Sequence, residues 1–172
     1  MKPTFIKKDE IKNMNKSFEL INLATKVHIG LTNYINVHNL IFKESATFKS
    51  LIKNIFGKGI SGEELLNYSE NLLPEWNEIF EELEKYKREE YLNLNESEKK
   101  YFNTLFSYSK SLKETINLLI KRQIFLYQKS INNYKAITSY GNYDELHKEY
   151  ELSISKYRTI GEKLNSDYRN LL

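Results

Sequence analysis

Residues 102–126 read FNTLFSYSKSLKETINLLIKRQIFL, and their spacing decides the fold class. Phe102, Leu105, Ser109, Leu112, Ile116, Leu119, Gln123 and Leu126 follow one another in alternating steps of three and four. On a helix of about 3.6 residues per turn, such steps hold the whole set on one side. The same steps mark a coiled-coil seam. A second row, Tyr150, Ile154, Tyr157, Gly161, Leu164, Tyr168 and Leu171, repeats the pattern towards the C-terminus. No stretch alternates apolar and polar residues as a half-buried strand does. The pattern predicts an all-α fold.

Working outward, the same reading divides the chain into four helices at about 10–56, 62–92, 96–139 and 143–172. The first carries the row Ile21, Ala24, His28, Leu31, Ile35, His38 and Phe42, widened by Leu20, Val27, Tyr34 and Ile41. The second carries Leu65, Leu72, Trp76, Ile79, Leu83 and Tyr86. Pro74 lies inside it and removes a backbone donor, which predicts a kink or a fresh helix start. Ser61 with Glu64, Asn95 with Glu98, and Asn142 with Glu145 have the spacing of helix-starting caps. The short loops predict a single domain over residues 1–172, an antiparallel up-down-up-down four-helix bundle. Helices of ~30 residues span ~45 Å, and unbroken first and third helices would overshoot that by ~20 Å. Either they kink or break, near Glu44–Ser45 and Asn132–Asn133, or the bundle is elongated. The elongated form leaves Phe48, Ile52 and Phe56 exposed and predicts a homodimer.

Composition removes whole classes of function. The chain has no cysteine, which excludes disulfides, zinc fingers, iron–sulfur clusters and thiol chemistry. No apolar run approaches the ~20 residues of a membrane span. Residues 1–15 are polar and lack a signal-peptide core, so the expected location is cytoplasmic. The net charge of +3 is unevenly spread. Residues 1–60 carry ten Lys/Arg against four Asp/Glu, residues 61–98 three against twelve, and residues 99–172 thirteen against seven. An acidic second helix thus lies between basic neighbours, which favours this helix order or offers an acidic face to a basic partner. Arginine occurs only at Arg88, Arg122, Arg158 and Arg169, which counts against nucleic acid as the partner.

Few residues suggest chemistry. Residues 57–62, GKGISG, match G-x-G-x-x-G. A dinucleotide site needs a preceding strand, and here a helix precedes, so the stretch reads as an interhelix turn. His38, His147 and Asp144 are the candidate metal set, because antiparallel packing of the first and last helices brings them level. Only one of the Glu-x-x-His motifs of a di-metal bundle is approximated, by Asp144-x-x-His147. The many glutamates of residues 75–90 read as a solvated surface, and the tyrosines as packing. No catalytic, cofactor or metal site is assigned.

The expected function is therefore non-enzymatic: binding a protein partner as an adaptor, a chaperone or an immunity-type inhibitor. A metal-binding bundle using His38, His147 and Asp144 is the first alternative. A membrane-surface dimer of elongated helices, which resembles BAR-type domains in helix length and charge alone, is the second.

Overall fold

The computed structural model describes residues 8–42, 61–131 and 140–171. They form α1 (Lys8–Phe42), α2 (Gly62–Glu70), α3 (Leu72–Glu89), a 3-10 turn (Tyr91–Asn93), α4 (Glu96–Ile131) and α5 (Tyr140–Arg169). Among the described residues there is no strand, and the fold is all-α.

Local chemistry sets the helix starts. Ser61 Oγ accepts from the Glu64 backbone N–H at 3.1 Å, and the Glu64 carboxylate accepts from the Ser61 N–H at 2.6 Å. Asn95 and Glu98 make the same reciprocal pair, both at 2.9 Å. Each such cap satisfies donors that the first helical turn leaves open, and contributes about 1 kcal/mol. The predicted second helix is two helices. The α-helical run stops at Glu70, and α3 begins at Leu72, with Pro74 in its first turn. There the missing N–H of proline costs nothing. The cap expected at Asn142 is not a helix start: α5 already begins at Tyr140, and Gly141 and Asn142 lie within it. The expected breaks near Glu44–Ser45 and Asn132–Asn133, the residues 48–56 of the proposed dimer contact, and all of residues 57–60 lie outside the described residues.

The α4 row is buried as its spacing predicts, from Phe102 at 0 % exposure through Leu112 and Ile116 at 0 % to Leu126 at 8 %. The α2–α3 row is equally buried, and Trp76 and Leu83 are fully enclosed. On α1 the residues expected to widen the row form the centre of the buried face, and the row itself flanks it, with Ala24, Leu31 and Phe42 partly buried against the core. Leu20, Leu23, Val27, Gly30, Tyr34 and Ile41 face the core, whereas Ile21, His28 and Ile35 are exposed. The reason is visible at Gly30. A Cβ there would meet Ile79 Cδ1 at 2.9 Å and the Trp76 ring at 3.1 Å. The bare backbone of Gly30 lets the largest side chain of α3 lie against α1, and that contact fixes which way α1 turns.

Contacts run in opposite senses along neighbouring helices. On α4 and α5, Thr104 meets Asp167, Tyr108 meets Tyr157, Glu114 meets Lys156 and Arg122 meets Tyr143. On α1 and α3, Lys26 pairs with Glu82 and Asn33 with Glu75. The acidic α3 is thereby tied to α1 at the surface, where such a pair contributes only ~0–1 kcal/mol. Between α3 and α4 the attraction is of another kind: Lys87 lies over the Phe106 ring at 4.6 Å, and Lys113 over Phe80 at 4.9 Å.

Candidate functional site

Two rows of seven-residue spacing build the polar part of the interior. Tyr101, Tyr108, Thr115 and Arg122 are buried along α4, beside its apolar row. Tyr143, Tyr150 and Tyr157 are buried along α5. Seven residues are two helical turns, so each row runs along one face. The rows meet near the C-terminal end of α1, around Arg122.

Arg122 is 1 % exposed. Its guanidinium lies 4.5 Å from the centre of the Phe42 ring, 5.0 Å from Tyr150 and 5.4 Å from Tyr143. Nη2 donates to the Tyr143 hydroxyl at 2.6 Å. Beside it, a chain of side chains joins α1 to α5. His38 Nδ1 is 2.7 Å from the Tyr150 hydroxyl, which is 2.8 Å from the Tyr34 hydroxyl. Burial, then the Arg122 and Arg158 charges, hold His38 below its ordinary value. In the neutral tautomer that carries its proton on Nε2, His38 accepts at Nδ1, Tyr150 donates to it and Tyr34 donates to Tyr150; in the other tautomer Nδ1–H donates to Tyr150 and Tyr150 to Tyr34. Burial raises Tyr34 and Tyr150 well above the usual phenol range, so both stay protonated in either arrangement.

The histidines singled out in the sequence are placed in different company. His38 is bonded to Tyr150. His147 stacks on Tyr143 and has Nε2 3.4 Å from Glu151. Burial and Arg122 lower His147, against the opposing pull of Glu151 and Asp144. Both imidazoles therefore lie within the field of the same guanidinium, which disfavours a cation between them. Among the described residues, no group of three or more His, Cys, Asp or Glu is placed to hold a metal ion. His28 lies apart from His38 and His147, in the wall of a cleft between α1, α4 and α5.

The second feature is a cleft of about 520 Å³ between α1, α4 and α5. Ile21, His28 and Leu31 form one wall, Tyr101, Leu105 and Tyr108 the floor, and Gly161, Leu164 and Tyr168 the other wall. Its size and apolar lining fall within the range of small-molecule sites. The absence of a side chain at Gly161 gives the Tyr108 ring its place, since a Cβ there would be 3.1 Å from Tyr108 Cε2. Burial, with the help of Tyr168, pushes the Tyr101 hydroxyl up to about 12, and burial raises Tyr108 further. The phenols of the floor are thus neutral hydrogen-bonding groups at ordinary pH and not acids or nucleophiles.

Arg122 is the residue that apolar patterning passes over. Its signal was the seven-residue row of polar-tipped side chains, Tyr101, Tyr108, Thr115 and Arg122, running beside the apolar row of α4. No protein-family model matches this chain, and no curated protein or solved structure matches it either. Among the described residues, no helix is long and apolar enough to cross a membrane.

Proposed function

We propose that this protein is an antiparallel up-down-up-down four-helix bundle that acts without catalysis, by binding a protein partner through α1. The opposed senses of the helix contacts support the architecture. One observation carries the function. Phe18, Ile29 and Leu40 are 64 %, 51 % and 40 % exposed. They recur every eleven residues, close to a whole number of helical turns, and so form a line on the side of α1 turned away from the core. Ile21 and Ile35, at 37 % and 39 % exposure, widen this line towards the cleft. A row of large apolar side chains on a solvent face is the surface that a partner helix covers. The acidic face of α3 adjoins it and favours a partner with basic flanks.

The test is affinity capture from the native host with two forms of the full chain, the wild type and a Phe18→Glu/Ile29→Glu/Leu40→Glu variant. A protein held by the wild type and lost with the variant, at an unchanged melting temperature, supports the reading. Identical captures overturn it. Sedimentation with anionic vesicles that depends on the same three residues would replace it with the membrane-surface reading.

A further inference from the structure

We infer that the guanidinium of Arg122 is the anchor of a binding site for a small organic monocarboxylate, walled by Phe42, Tyr143 and Tyr150. This stands apart from the protein-partner reading, which rests on the opposite face of α1. Arg122 is 1 % exposed, and no carboxylate among the described residues pairs with it. A guanidinium carries one N–H on Nε and two on each terminal nitrogen. Nη2 donates to Tyr143, whereas Nε and Nη1 have no acceptor. An unpaired buried cation is strongly disfavoured, and buried N–H groups seek acceptors. The three rings attract the charge through their faces, but they offer no lone pair to Nε–H or Nη1–H. An oxyanion supplies both the opposite charge and the acceptors, and carboxylate geometry matches the planar donor fork.

The surroundings narrow the ligand class. Among the described residues, Arg122 is the one buried permanent charge of the cluster: Arg158, whose field also reaches His38 and Tyr150, is exposed to solvent, and His38 and His147 are both held towards their neutral forms. One fixed positive charge balances a monoanion. Phosphate brings further charge and more acceptor oxygens than this cluster has donors to meet. The ring faces of Phe42, Tyr143 and Tyr150 favour a ligand whose carboxylate is attached to an apolar body. Phe42 is only half-buried and stacks on Tyr150 at 5.9 Å, so it forms the outer wall of the site.

The experiment titrates the full chain with sodium benzoate, sodium acetate and sodium phosphate, each at ionic strength matched with chloride. The readouts are the NMR resonance of the Arg122 Nε–H and the thermal melt. Benzoate is expected to shift the resonance saturably and raise the melting temperature, acetate to do so more weakly, and phosphate to match chloride. Arg122→Met keeps the apolar stem without the charge, and is expected to weaken benzoate binding by at least on the order of tenfold. Where that variant does not fold, the wild-type Nε–H resonance decides alone. No saturable shift at tens of millimolar benzoate overturns the inference. So does a phosphate response equal to that of benzoate, or a folded Arg122→Met that binds benzoate unchanged.

Discussion

Leu112 lies midway along α4 with no exposed surface, so its side chain is packed on every side. Leu112→Ala is expected to destabilise the protein by about 2–5 kcal/mol, the sum of lost apolar transfer and the cavity left behind. Urea unfolding measures it, and a loss below about half a kcal/mol would place Leu112 at the surface. Tyr150 is a different kind of core residue. It is 1 % exposed, and its hydroxyl serves both Tyr34 and His38. Tyr150→Phe keeps the ring and removes both bonds, leaving two groups short of a partner at a cost of about 1–3 kcal/mol. The histidines give stability a pH dependence. His38 and His147 are both lowered from their ordinary 6.5, so the unfolded chain takes up these protons at a higher pH than the folded one. Their contribution is therefore full above about 6.5 and declines as pH falls below it. Asp167 acts in a separate window. The Lys100 ammonium and the Thr104 hydroxyl hold its carboxyl below the usual range, so its contribution fades only in stronger acid. Thermal melts from about pH 8 to 5 should fall towards acid in the wild type and flatten in His38→Gln/His147→Gln. Equal slopes in the two proteins would show that the imidazoles carry no such linkage.

At the scale of elements, α1 and α4 show what periodicity can and cannot reveal. In α4 the side opposite the apolar row is occupied by Asn103, Lys110, Glu114, Asn117 and Lys121, all exposed, so one direction dominates and the row is read correctly. In α1 apolar residues cover more than half the circumference. Leu20, Val27, Tyr34 and Ile41 are buried, yet Ile21, Ala24, Leu31 and Ile35 make an equally regular row one residue later. A shift of one residue is about 100° of rotation, and the spacing alone cannot choose between the two. Gly30 chooses, because only the correct register puts it against Trp76. This close approach was legible in principle, as an isolated glycine inside a helical pattern. The Arg122 cluster was less legible. Three helices contribute to it, and a seven-residue row on α4 does not say which rings on α1 and α5 will face it. Gly30→Val tests the register directly. Its branched side chain would press on Ile79 and on the Trp76 ring, and the overpacking should cost about 1–3 kcal/mol. Denaturant unfolding measures this. If Gly30 faced solvent, the substitution would instead stabilise the helix by a few tenths of a kcal/mol.

At the scale of the whole molecule, the question is what the exposed side of α1 does when no other partner is present. From Phe18 to Leu40 the apolar line is roughly 33 Å long at 1.5 Å per residue. It consists of a few side chains, about a third to two-thirds exposed. A strip of that width offers a few hundred Å² of apolar surface, whereas a stable interface buries about 800 Å² on each side. Self-pairing through this strip is therefore weak. The charges do not oppose it strongly, because the chain carries only +3 overall and a surface pair adds little at physiological salt. A monomer–dimer equilibrium in the tens of micromolar is the expected behaviour, and sedimentation velocity across that concentration range measures it. Phe18→Glu/Ile29→Glu places like charges along the strip in both copies and should leave only monomer. Because neither side chain belongs to the core, the melting temperature of this variant should stay within a degree or two of the wild type. A dimer that survives both substitutions would have to form elsewhere on the molecule, and α1 would then lose its claim to be the binding face.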